Sequence, residues 1–142
     1  MKVSARGRYA VKLMLDLAMY QNGEPVKGKD SARRQGIPVK FLEQIVAQLL
    51  GAGLIRSVRG ANGGYLLSKS SEQCTMADIL RVTEGSLSSA EPEDGSDGTI
   101  GISAAALVWE KLDQAVLEAL ESITLARLKE WQQELDASQY VI

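Results

Sequence analysis

Two short stretches carry the side chains with the most chemistry to offer. In PVKFLEQIVAQLL (38–50), Lys40, Glu43, Gln44, Ala47 and Gln48 fall on one side of a helical repeat, and Leu42, Ile45 and Leu49 fall on the other. On the polar side, Gln44 can pair with adenine N6 and N7, Glu43 can accept from cytosine N4, and Lys40 can reach guanine or a phosphate. In RGANGGY (59–65), Arg59 precedes a glycine-rich turn. A guanidinium at such a tip is drawn to the concentrated negative potential of a narrow minor groove and needs no base-specific contact there. Taken singly, the first stretch also fits a solvated helix face and the second a plain hairpin turn. GANGG has the look of a phosphate loop, yet no Lys-Ser/Thr follows and a strand comes next, so nucleotide binding is set aside.

Other chemistry is removed by what the chain lacks. With no His in 142 residues there is no Ser-His-Asp triad, no imidazole acid or base and no His-containing zinc site. The single Cys74 permits no internal disulfide or CxxC pair, which suits a reducing cytoplasm, and neighbouring Glu72 and Asp78 disfavour its thiolate. Glu91, Glu93, Asp94 and Asp97 lack the spacing of a calcium loop, so no metal and no cofactor are expected. The charges threaded through MKVSARGRYAVKLMLDLAMY exclude a signal peptide or a membrane span.

The elements that must position the two stretches follow from spacing and punctuation. Ala10, Leu13, Met14 and Leu17 recur at helical intervals over 4–21, after a possible Ser4 cap and before Asn22-Gly23. A short helix is expected at 28–35, closed by Gly36, and Pro38 opens the helix of 38–50. LIRSV (54–58) and GYLLS (64–68) read as strands of a hairpin, with Asn62-Gly63 supplying the positive φ angles of the turn. Three helices followed by a hairpin is winged-helix order. Thr75 caps a helix ending at Gly85, and 86–102 has the Ser, Gly, Pro and acidic composition of a flexible loop. Beyond it Ala105, Trp109, Leu112, Val116, Ala119 and Ile123 alternate spacings of four and three, a seam that wants a partner helix, and Thr124 opens a last helix. The expected architecture is therefore mainly α with one small β-hairpin. It comprises a winged helix-turn-helix domain (1–85), an acidic loop (86–102) and a dimerisation helix with a C-terminal helix (103–142).

The net charge of −2 conceals a division. Residues 1–69 carry twelve basic and four acidic side chains, a net of +8, whereas 70–142 carry four basic and fourteen acidic, a net of −10. A basic half suits a polyanion. Lys2, Arg6, Arg8, Lys12, Lys27, Lys29, Arg33, Arg34 and Arg56 supply sequence-independent attraction to phosphates, with some of them pointing elsewhere. The candidate DNA-facing set is Lys40, Phe41, Glu43, Gln44, Arg59, Gly60, Gly63, Gly64 and Tyr65, together with Arg6 and Arg8.

SARGRYAVKLMLDLA (4–18), FLEQIVAQLLGAGLIRSVRGANGGYLLS (41–68), MADILRVTEG (76–85) and the long helix from 103 together resemble the Rrf-type winged-helix regulators. The resemblance spans most of the chain. It implies a homodimer with crossing long helices, recognition helices in successive major grooves, and Glu43, Gln44 and Arg59 at DNA-contact positions. Cluster-binding members carry three cysteines after the helix matching 76–84; here 85–102 has none. A second departure is Ser31 before Ala32, where an Ile is usual. Without cluster ligands the chain is most similar to the branch that represses cysteine metabolism, which shares the MK[VI]S start and a terminal Ile. That branch implies cysteine synthase as a partner. Tyr140, Val141 and Ile142 could then dock through the terminal carboxylate, or else simply fray.

The expected function is a dimeric repressor that binds a palindromic operator in double-stranded DNA in the cytoplasm. An interaction adaptor working through the acidic half without specific DNA binding is the alternative. An enzyme ranks last, since no nucleophile and base are recognisably paired.

Overall fold

A computed structural model of the chain describes residues 2–88 and 103–139. Within them lie α1 (Ala5–Tyr20), α2 (Gly28–Gln35), α3 (Val39–Gly51), β1 (Ile55–Val58), β2 (Gly64–Leu67), α4 (Met76–Glu84), α5 (Ala104–Ser122) and α6 (Leu125–Gln139). Every element expected from spacing is present within about two residues of its expected bounds. Most of the 86–102 loop lies outside the described residues.

Helix α1 is the central rod. Ser4 caps it, accepting from Gly7 N at 3.0 Å, and the Glu84 carboxylate at the end of α4 accepts from Ser4 N and Ser4 Oγ at 2.6 and 2.8 Å. A negative charge at a helix N-terminus is favourable, and here it also binds the first turn of α1 to the last turn of α4. Ala10, Leu13, Met14 and Leu17 are buried against Ile45, Leu49, Ile55, Ile79 and Leu125 in one core.

The packing of α2 is set by a buried polar network. Asp16 of α1 is fully buried. Its carboxylate accepts from Ser31 Oγ at 2.5 Å, from Arg34 Nε and Nη2 at 3.0 and 2.8 Å, and from Gln35 Nε2 at 3.1 Å. Ser31, the departure in sequence, is thus a fully buried donor to a charge, a role that Ile could not fill. Burial by itself would raise the Asp16 pKa; the hydrogen bonds from Arg34, Ser31 and Gln35 outweigh it and hold the carboxyl below its ordinary value of 3.8. The Arg34 guanidinium also lies 4.0 Å from the centre of the Tyr20 ring.

Helix α2 stops at Gly36, whose φ of 66° is left-handed, and Ile37 N donates to Ala32 O at 2.9 Å. Pro38 then starts α3 in an extended conformation. This is the turn of the helix-turn-helix.

The hairpin pairs Ile55 with Leu67 and Val58 with Gly64 in antiparallel register. Its turn differs from expectation. Among the described residues no non-glycine has positive φ, so Asn62 does not take that role; the left-handed position of the turn is Gly60, with φ 112°. An Asn-Gly pair dictates φ signs in a two-residue loop, whereas the connection here runs from 59 to 63 and relocates the bend.

The C-terminal elements are tied to the winged helix by a short bridge between Thr75 and Thr124, with Met76 N donating to Ile123 O at 2.9 Å and Leu125 N to Cys74 O at 2.7 Å. Leu125 sits fully buried in the core. Helix α5, by contrast, buries no residue completely.

The buried carboxylate makes stability depend on acid in a defined direction. Because the folded pKa of Asp16 lies below 3.8, its contribution is complete above that value and is lost as pH falls through the folded pKa. Urea denaturation should show Asp16→Asn destabilised by about 3 kcal/mol at pH 7. Its stability should fall less steeply than the parent's below about pH 4.

Candidate nucleic-acid interface

The sequence-expected outward face of α3 is outward in the structure. Lys40, Glu43, Gln44 and Ala47 are exposed, while Ile45, Val46 and Leu49 are buried and Leu42 is half-buried. Gln48 departs from the expected set: it is half-buried, with Oε1 buried and unpartnered, because the last turn of α3 closes onto the core. Among the described residues, Glu43 and Gln44 form no side-chain hydrogen bond or ion pair with the rest of the chain. Phe41 does not belong to that face: its ring packs on Tyr9 of α1 with centroids 5.1 Å apart, and Lys40 Nζ lies 5.3 Å above it. Phe41 therefore fixes the start of α3 against α1.

The wing is moored on both sides. Arg59 is exposed at its base. Gly63 N donates to Gly60 O at 3.0 Å and closes the tip. A Cβ on Gly63 would lie 2.2 Å from Val58 O, and one on Gly64 would lie 2.4 Å from Val26 O, so both positions demand glycine because backbone passes too close. Tyr65 N donates to Val26 O at 2.8 Å and Val26 N to Tyr65 O at 2.9 Å, adding a third backbone segment to the edge of the hairpin. The Tyr65 ring rests on Gly28, at the start of α2. Gln21 Oε1 accepts from Leu67 N at 2.9 Å. Gly60, Gly63, Gly64 and Tyr65 accordingly shape the wing and present Arg59.

Two arginines are engaged within the chain. Arg6 is half-buried and donates through Nη2 to Thr83 O at 3.3 Å, with its Nε buried and unpartnered. Arg34, a phosphate candidate by sequence, is committed to Asp16 instead. Arg8 stays exposed. A count of arginines could not reveal these assignments, because the acceptors lie 18 to 77 residues away.

On the seam of α5, Ala105, Trp109, Leu112 and Ala119 are exposed, and Val116 and Ile123 are half-buried. Val108, also exposed, borders this seam, whereas the exposed Leu107 lies on the opposite side of the helix. Tyr140, Val141 and Ile142 lie outside the described residues. No helix among the described residues is long and apolar enough to cross a membrane.

Comparison with known proteins places this geometry. Residues 3–130 match the Rrf2 family, described as "Iron-dependent Transcriptional regulator". The chain belongs to the Rrf2 family. The HTH-type transcriptional regulator CymR of Bacillus subtilis is 37% identical over 128 residues, covering 90% of this chain and 89% of that protein. The structure of B. subtilis CymR, "the Global Cysteine Regulator", superposes with a TM-score of 0.80 at 35% identity, covering 92% of this chain and 98% of CymR. T. potens IscR superposes with a TM-score of 0.80 at 40% identity, over 95% of this chain and 90% of its own. The chain is thus a CymR-like Rrf2 transcriptional regulator with a winged-helix fold, and not an enzyme.

The iron in the Rrf2 description can be tested against the donors present. Iron–sulfur clusters are held by several thiolates. This Rrf2 chain has one cysteine, Cys74; it is buried, and its thiol is pushed up to about 11 by that burial and by the charge of Asp78. Among the described residues no three His, Cys, Asp or Glu side chains are grouped to hold a metal. The donor set does not fit a cluster.

Crowding at the wing tip gives a direct test of its geometry. Gly63→Ala should cost about 2 kcal/mol in chemical denaturation, since the new methyl meets the Val58 carbonyl. Gly51→Ala, whose Cβ meets nothing within 4 Å, should leave stability unchanged or slightly raised.

Proposed function

We propose that the protein is a dimeric, sequence-specific DNA-binding repressor of sulfur and cysteine metabolism genes, with α3 in the major groove and Arg59 of the wing in the minor groove. The observation that carries this reading is the free polar face of α3. Lys40, Glu43 and Gln44 stand exposed on a helix whose opposite side is locked into the core. Side chains of these three types match the hydrogen-bonding edges of guanine, cytosine and adenine. Arg8 and the basic N-terminal half add phosphate attraction that carries no sequence information.

Dimerisation is supported by α5, where Trp109 and Val108 remain 47% and 55% exposed in the single chain. A contiguous apolar surface of this kind marks an interaction site. A two-fold dimer reads a palindrome with half-sites about one helical turn, or a multiple of it, apart. The link to cysteine rests on the similarity to the B. subtilis regulator, and a cysteine synthase docking on the Tyr140–Ile142 tail is the partner consistent with it. Co-precipitation with purified cysteine synthase that survives removal of residues 140–142 would dismiss the tail as the docking element.

Selection of bound fragments from genomic DNA should recover palindromic sites next to sulfur-metabolism genes. In mobility shifts at fixed salt, Arg59→Ala should weaken binding to all such sites about tenfold or more, equivalent to at least about 1.4 kcal/mol. Gln44→Ala should instead lose about 1–3 kcal/mol of discrimination at one base pair per half-site. Unchanged affinity for Arg59→Ala would remove the wing from the interface.

A further inference from the structure

A polar cleft of about 750 Å³ opens beside α2, away from the apolar surface of α5. Its walls are the end of α1 at Tyr20, the segment before α2 at Glu24 and Lys27, the α2 side chains Asp30 and Arg34, and the wing tip at Asn62 and Gly63. Its volume is that of an ordinary small-molecule site.

Charge on the walls restricts what fits. The Arg34 guanidinium is held rigidly, with Nε and Nη2 on the buried Asp16 and its plane over Tyr20, and Asp16 largely neutralises it; Nη1 is left for another acceptor. Lys27 is the cation of the wall with no carboxylate within ion-pair distance among the described residues. Against it stand Glu24, likewise unpaired, and Asp30, which shares Arg33 at 3.4 Å. A phosphate or other plain anion would face two carboxylates, and a plain cation would face Lys27 and Arg34. The complement of such a wall is a small molecule bearing one carboxylate and one ammonium group.

We propose that this cleft is a binding site for a free α-amino acid, its carboxylate held by Lys27 and Arg34 Nη1 and its ammonium by Glu24 and Asp30. The site lies against the backbone that moors the wing: Val26 lines the cleft and exchanges two hydrogen bonds with Tyr65, and Asn62 stands on the tip itself. Occupancy is therefore linked to the placement of Arg59, and whatever the amino acid does to operator affinity, the operator does equally to the affinity for the amino acid.

The test is calorimetric titration of the full chain, without DNA, by each of the twenty standard amino acids in turn. Its outcome is then independent of α3 and the wing arginine. At least one amino acid should bind with a dissociation constant in the millimolar range or below. Lys27→Gln and Glu24→Gln, both exposed side chains whose loss leaves the core intact, should each weaken that binding about tenfold or more. The N-acetylated and amidated forms of the same amino acid should fail to bind. Absence of binding across the series, binding indifferent to both substitutions, or equal binding of the blocked forms would each overturn the proposal.

Discussion

A carboxylate without water is the constraint from which the reading head of this protein follows. Asp16 faces α2 from a helix otherwise buried by Leu13, Met14 and Leu17, and an unpaired charge there would be ruinous. Ser31, Arg34 and Gln35 surround it, all from the one short helix. Helix α2 has eight residues and little apolar surface, so burial alone would hold it weakly. The network supplies orientation where hydrophobic burial cannot. Since α3 leaves α2 through the tight turn at Gly36–Pro38, that buried charge helps to set the direction of α3 alongside the packing of Phe41, Ile45 and Leu49 on α1 and the core. Breaking such a pair costs far more than replacing it whole, so it stabilises geometry more than it adds net stability.

The wing is positioned by different means. A two-stranded hairpin is marginal on its own. Here Val26 extends its edge and Gln21 reaches Leu67 N, so the segment between α1 and α2 serves as a strut for β2. Glycines at 63 and 64 let the strut and the turn approach within distances that any side chain would forbid. Both presenting elements, α3 and the wing, are consequently referenced to α1, one through Asp16 and α2 and the other through Gln21 and Val26.

Elements were legible in the sequence because periodicity and caps are local. Ser4, Gly36 and Thr75 mark ends that the structure keeps, and Thr75 closes a reciprocal box with Asp78. The outward set of α3 was legible for the same reason. Partners were not. A helical repeat says which face is buried and is silent on what buries it, so the pairing of Glu84 with Ser4 across 80 residues, or of Thr75 with Thr124, left no local trace. Ser31 is a departure and Arg34 a phosphate candidate only so long as Asp16, the acceptor they share, is out of view in sequence. At Asn62-Gly63 the loop is too long for the dipeptide to dictate its φ angles.

Helix α5 brings the charge division and the chain length to one point. It has 19 residues, is anchored chiefly at its C-terminal end by the Thr75–Thr124 bridge, and exposes Leu107, Val108, Trp109 and Leu112. Each large apolar side chain left uncovered forgoes roughly 1.5–3 kcal/mol of burial. A second copy laid along the seam would recover that energy for Val108, Trp109 and Leu112 and bring together two halves of −10 each. Their mutual repulsion is screened over about 8–10 Å at moderate salt, whereas apolar burial is hardly screened at all. The same acidic half would repel a phosphate backbone, which favours approach of DNA to the basic N-terminal half. On the proposed dimer, then, the acidic half does more than join two reading heads: it biases the duplex towards the basic side of the assembly.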